Sequence, residues 1–237
     1  MKALTNDEKS KAKSKNRKTA MAETNTKAMK KDYELKPTFR LALLGLLTAI
    51  MFIMNFTPLG YLKTPVLSIT FMTIPVIMAA ILLKPVDAAI IGGIFGLTSF
   101  ITAVTGGSAL TSSLFQINPW RTAVLCFVPR ILEGFLGALI FRGLRRIDKT
   151  KMISYAVTSL SVPLMNTLFF MSTLFLLFYQ SEPIRNIAEK AGATNPFTLL
   201  FAMAGINALI EAAVCFIIGT AISKALAVVA AKTKMYA

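Results

Sequence analysis

No histidine occurs anywhere in the 237 residues. Serine–histidine–aspartate triads, histidine-ligated metals and imidazole acid–base chemistry are therefore excluded. Cysteine is nearly absent as well. Cys126 and Cys215 each lie inside an apolar run and read as small buried hydrophobes, not as a disulfide pair or a metal site. No glycine-rich phosphate loop of the Walker type is present, so ATP is not hydrolysed by that route and any uphill work must be powered from elsewhere. Charge is scarce, at 16% of residues against about 25% in soluble domains. It is also unevenly placed: the first 40 residues hold 12 of the 26 Lys and Arg and 5 of the 11 Asp and Glu.

What remains is apolar. Hydrophobic residues make up 55% of the chain and the mean hydropathy is +0.63. This excludes an ordinary cytosolic enzyme and predicts an all-α membrane protein. Residues 1–37 read as a mobile, lysine-rich cytoplasmic tail. They are no cleavable signal, because the apolar stretch starts late and is too long for one. A nucleic-acid-binding arm is the alternative reading of the tail alone. Residues 38–223 form the membrane domain, and 224–237 a short basic cytoplasmic tail.

Within the membrane domain, apolar segments run over 38–57, 66–83, 87–105, 121–141, 152–179 and 196–222. Each is near the roughly 20 residues that cross a bilayer as a helix, which predicts a six-helix bundle. The fifth is the longest. Pro75, Pro129 and Pro163 fall inside predicted spans, where prolines often mark kinks beside cavities. Lys84-Pro85-Val86 joins the second and third segments as a tight hairpin.

Basic residues set the orientation. With an even number of crossings, one side receives the N-terminal tail, Lys84, the cluster from Arg142 to Lys151, and the residues from Lys224 onward. The other side holds Lys63, Arg121, Arg185 and Lys190. Lys and Arg accumulate on the cytoplasmic side, so both termini are expected there.

Charge inside hydrocarbon costs roughly 2.5–3.5 kcal/mol per residue on insertion scales, so each instance needs a reason. Arg130 and Glu133 fall in the fourth segment and Glu211 in the sixth; Asn166 and Asn207 sit at comparable depth. Two readings stand. Arg130 and Glu133 are three apart and can neutralise each other, while Asn207 and Glu211, four apart, can act as polar glue between helices. Alternatively the five converge on a buried cavity, where a guanidinium suits a carboxylate and the amides suit hydroxyls and amides.

The connections on the far side include Thr57 to Pro65, which contains Tyr61, and a longer Ser/Thr/Gly-rich stretch from Thr105 to Trp120. The longer one has the length of a lid or binding loop. Phe115 and Trp120 lie there; Trp120 reads equally as a lid residue and as an interfacial anchor. Small residues at four-residue spacing, Gly45 and Ala49 in the first segment and Gly92 and Gly96 in the third, permit close helix approach, either within the bundle or against a separate membrane partner.

Leu67 to Met78, Gly92 to Ser99, Val128-Pro129-Arg130, Asn166-Thr167 and Gly205 to Glu211 together resemble the substrate-binding S-components of energy-coupling factor (ECF) vitamin transporters, most closely the pantothenate-type members. The resemblance covers about residues 38–222. It implies a six-helix protein of the bacterial plasma membrane, without enzyme activity, metal or cofactor, that binds a vitamin on its outer side. A transmembrane coupling protein and two cytoplasmic ATPases would then supply delivery and energy. It further implies vitamin contacts from Arg130, Asn166, Asn207, Glu133, Glu211, Trp120, Phe115, Tyr61 and Thr98, and docking of the coupling protein through Ala42, Gly45, Ala49, Gly92 and Gly96. The family's first-helix motif is alanine-based; here Gly45 takes the first small position, which preserves close approach. The lysine-rich tail is outside the family pattern.

Pantothenate, an anion with hydroxyls and an amide, matches one arginine and the buried amides. Niacin, another small acidic vitamin or part of a cobalamin would meet the same chemistry. A stand-alone proton-coupled secondary transporter, with Glu133 and Glu211 as relay carboxylates, is the competing class, although no inverted repeat is visible. A lipid-modifying enzyme is the third.

Overall fold

The computed structural model describes residues 35–57, 60–63, 68–148 and 152–232. The side chains at 61–63, 68–69, 206–207 and 230–231 lie outside that description, as do the terminal segments 1–34 and 233–237, which take in most of the predicted N-terminal tail and the last five residues of the C-terminal one.

Eight helices and one hairpin are present among the described residues. Helix α1 covers Pro37–Phe56, and the strands β1 and β2 cover Tyr61–Lys63 and Ser68–Thr70. Helices α2, Thr73–Leu82, and α3, Pro85–Val104, follow; α4 covers Ala109–Ile117 and α5 Pro119–Arg145. The chain then continues as α6, Ile153–Phe178, α7, Glu182–Lys190, and α8, Pro196–Lys232. Helices α1, α3, α5 and α6, and residues Ala208–Val229 of α8, are long and apolar enough to cross a membrane.

Local chemistry explains most boundaries. Pro85 opens α3 in its first turn, and Asp87 closes a capping box by accepting from the Lys84 amide at 3.3 Å. Asn118 caps α5 through the Arg121 amide at 3.0 Å, again with a proline behind it. Asn195 accepts from the Thr198 amide at 2.9 Å at the start of α8. Gly106, at φ +81°, turns the chain out of α3.

The second predicted segment needs correction. It begins as a strand, and its helix starts only at Thr73. The reason is Pro75: a proline is accepted in the first turn of a helix, where its missing N–H has no partner to lose, but would break a helix begun at residue 66. The β-branched residues before it pair instead with β1, Tyr61 opposite Thr70 and Lys63 opposite Ser68, and Phe71 donates to the Gly60 carbonyl at 3.0 Å. Ten helical residues rise only about 15 Å, half the hydrocarbon thickness. A second correction concerns length: the longest helix is α8, with 37 residues, not the fifth segment. The predicted loops after α3 and α6 contain the short helices α4 and α7.

Helix α3 lies against α5, which also packs on α6, and α6 on α8. The α3–α5 contact is backbone on backbone. A Cβ on Gly92 would stand 2.1 Å from the Arg130 carbonyl oxygen, one on Gly96 2.8 Å from that of Cys126, and one on Gly134 2.2 Å from that of Ala88. Gly92 and Gly96 are therefore consumed inside the bundle and offer no face to another protein. This corrects their assignment as docking residues: van der Waals packing, the main attraction between helices in lipid, is strongest where backbones approach this closely.

Helix α1 is different. Only Leu47 and Met51 on it are buried, Ala42, Gly45 and Ala49 are exposed, and no described atom lies within 4 Å of a Cβ placed on Gly45. Its first turn is tied to α3 by Arg40, whose Nε and Nη2 donate to the two Asp87 carboxylate oxygens at 2.6 and 2.5 Å. Two apolar clusters fill the interior. One joins α1, α2 and α3 to α5, α6 and α8 and contains Leu47, Val76, Ile91 and Val162. The other lies toward α4 and α7 and contains Leu114, Leu125, Leu174 and Ile184.

Candidate functional site

Between those clusters lies a cavity of about 440 Å³, within the roughly 300–1,000 Å³ of small-molecule sites. Four long elements supply it at regular helical spacing. Phe95, Ser99 and Thr102 line it from α3, and Ala204, Ala208 and Glu211 from α8, each at positions i, i+4 and i+7. Arg130 enters from α5, and Asn166, Thr167 and Phe170 from α6. Thr70 of β2 and residues 107–111, which include the first turn of α4, complete the wall. The hairpin's irregular backbone thus borders a cavity, the setting in which non-helical backbone is tolerated at membrane depth.

Arg130 is 8% exposed. Its Nη1 donates to the Leu125 carbonyl at 3.0 Å, and its guanidinium carbon stands 4.6 Å from the Phe170 ring centroid and 5.2 Å from that of Phe95. Two desolvated cation–π contacts, at about 2 kcal/mol each, are of the same size as the roughly 2.5–3.5 kcal/mol cost of inserting the charge. Nε is buried and has no partner among the described residues. The same holds for Asn166 Oδ1.

Glu211 accepts a hydrogen bond from the Thr73 hydroxyl at 2.9 Å, which joins α8 to the start of α2. Glu133, three residues beyond Arg130, is fully buried, and neither of its carboxylate oxygens has a partner among the described residues. It does not line the cavity; Glu211 does. Arg130 and Glu211 thus meet on the cavity, with the buried Glu133 one helical turn from Arg130. The cavity can hold a small molecule with one anionic end and several hydrogen-bonding groups.

Of the residues expected at the site, Arg130, Asn166 and Glu211 come together on one cavity. Thr98 does not: it is fully buried and its hydroxyl donates to the Phe95 carbonyl at 2.8 Å, while Ser99, one step round the helix, faces the space. Trp120, at the start of α5, is 84% exposed and is not among the residues lining the cavity. Phe115 stacks edge-to-face on Phe100 at 5.7 Å, tying α4 to α3, and lies outside the lining. The side chains of Tyr61 and Asn207 lie outside the described residues.

Phe95, Thr102, Phe170 and the α4 turn were missed. For the two phenylalanines a signal existed: Phe170 follows Asn166 by one helical turn and Phe95 precedes Ser99 by one, so each shares a face with a polar residue at membrane depth.

Comparison with known proteins gives a consistent result. The chain is 28% identical over 169 residues to the pantothenic acid transporter PanT of Lactococcus lactis subsp. cremoris (strain MG1363), covering 66% of this chain and 76% of that protein. Residues 39–223 match the family model for the substrate-specific component of ECF transporters. With that match extending over most of the helical bundle and every residue that lines the cavity, the chain belongs to the family of ECF transporter substrate-specific components.

Proposed function

We propose that this chain is the membrane-embedded, vitamin-binding subunit of an ECF-type importer in a bacterial plasma membrane, and that its substrate is pantothenate. The observation that carries this reading is the single guanidinium of Arg130 on a cavity that also presents an amide, hydroxyls and the carboxyl of Glu211. Pantothenate is a monocarboxylate with an amide and two hydroxyls. Its carboxylate pairs with Arg130, and Asn166, Ser99 and Thr102 serve its neutral polar groups. Glu211 accepts from a substrate hydroxyl. The similarity to a pantothenic acid transporter supports the same choice.

The energy comes from outside the chain. A transmembrane coupling protein meets the exposed Ala42, Gly45 and Ala49 face of α1, and two cytoplasmic ATPases drive the cycle. The short α2 with its hairpin makes the second of six crossings. Arg40, Lys84, Arg142 and Lys224 lie at the cytoplasmic end, together with both termini.

Calorimetric titration of the purified chain in detergent, against pantothenate and a panel of other vitamins, tests the reading. Tight binding of pantothenate without ATP or partner proteins supports it. Tight binding of another vitamin replaces the substrate. No binding by a demonstrably folded chain removes the capture role and brings forward a proton-coupled carrier using Glu133 and Glu211.

A further inference from the structure

Resting on the reading that Arg130 takes a substrate carboxylate, we infer that Pro129, Phe95 and Phe170 form a positioning device that aims the guanidinium, and that this device decides the preference for a carboxylate over a neutral group.

The argument starts in the backbone of α5. Pro129 has no N–H, so the carbonyl four residues earlier, that of Leu125, loses its helical donor. In the middle of a membrane helix such an acceptor must find another. It finds Arg130: Nη1 donates to the Leu125 oxygen at 3.0 Å. The proline therefore creates, one residue away, the acceptor that fixes one corner of a rigid planar group. The plane itself is held by the two rings, 4.6 Å away for Phe170 of α6 and 5.2 Å for Phe95 of α3. Both rings also line the cavity. A guanidinium constrained at one corner and against two rings keeps its remaining donors in a set direction. Nε, buried and unpartnered among the described residues, is one of them.

Restraint of this kind matters for specificity. A carboxylate takes two parallel hydrogen bonds from an arginine only when the planes match, whereas a hydroxyl needs a single donor and tolerates a loose one. Loosening the arginine thus penalises the anion selectively. Glu211, on the same cavity, sharpens the requirement, because a guanidinium free to swing would turn toward its carboxyl and be lost to the ligand.

The test compares pantothenate with its alcohol analogue, in which CH2OH replaces the carboxylate, by titration of the full-length chain in detergent. The wild type should favour pantothenate. Pro129→Ala, which returns a helical donor to Leu125, and Phe170→Leu should each cut that preference about tenfold through weaker pantothenate binding, with affinity for the alcohol retained. Arg130→Ala should remove the preference, and adding Pro129→Ala to it should change nothing more. Unchanged preference in both single variants overturns the proposal, and so does an equal loss for both ligands, which indicates general damage to the cavity. Should Phe170→Leu fail to fold, Pro129→Ala decides alone. A wild type indifferent to both compounds fails differently, since it sinks the pantothenate reading and this proposal with it.

Discussion

Arg130 concentrates the chemistry of this protein in one side chain. A lone cation at membrane depth is retained only where rings, carbonyls or anions hold it, and here α3, α5 and α6 all contribute. Arg130→Ala should all but abolish binding of an anionic substrate, with a loss of about thirtyfold or more given the roughly 2–5 kcal/mol of a buried charge pair. Insertion should be largely intact. Arg130→Lys should not restore binding, because an ammonium cannot present two parallel donors; calorimetry on folded variants checks both. A folded Arg130→Ala variant with unaltered affinity would remove the assigned role. Glu211 provides a second test. Thr73→Val deletes its hydroxyl partner without opening a cavity, and should cost about 1–3 kcal/mol, seen as a lower Tm in detergent. An unaltered Tm would mean that this bond contributes nothing. At this scale the sequence was legible where a residue type was costly: Arg130, Asn166 and Glu211 stand out because hydrocarbon makes them expensive. It was misleading where cost was low. Thr98 and Ser99 are neighbours with interchangeable hydroxyls, and only the rotation of α3 decides which faces the cavity.

Among the elements, α3 and α5 set the geometry of everything else. Their glycines allow backbones to touch, and the Gly92 contact falls on the carbonyl of Arg130 itself. Gly92→Val should therefore separate the helices, displace Arg130 and abolish both folding yield and ligand binding. Gly93→Ala is the matched control: its Cβ would meet only Ile131 side-chain atoms at 3.6 Å, an ordinary contact. Size-exclusion profiles and binding of the two variants separate the cases, and equal behaviour would show that the seam does not control the site. The same element scale explains the misread second segment. Hydropathy counts apolar residues but is blind to where a proline can sit in a helix, and Pro75 put the helix start seven residues later than the apolar run began.

The whole molecule is asymmetric in how tightly its helices are held. Helices α3 and α5 are gripped by neighbours, whereas α1 buries only Leu47 and Met51 and is anchored at its first turn by Arg40 and Asp87. A helix so lightly packed keeps an open small-residue face. Gly45→Leu combined with Ala49→Leu should leave vitamin binding in detergent unchanged and block uptake by the assembled importer. Persistent uptake would exclude α1 as the docking surface. Gly92 and Gly96 carry the same spacing as Gly45 and Ala49, yet the first pair is buried and the second exposed. Spacing alone could not distinguish them, because a small-residue motif says only that something approaches closely, not what.

By itself, the sequence determined the class of protein, the limits of most long helices and the costly polar residues that meet at the cavity. Each follows from a one-dimensional cost: apolar length against bilayer thickness, or a charge against hydrocarbon. The tertiary structure alone decided which polar residues share a cavity, that Glu211 borders it while Glu133 is sealed beside it, and that one glycine pair is spent inside the bundle. Those outcomes depend on helix rotation and on which backbones touch. Such quantities are set by packing between segments far apart in the chain, and no local pattern encodes them.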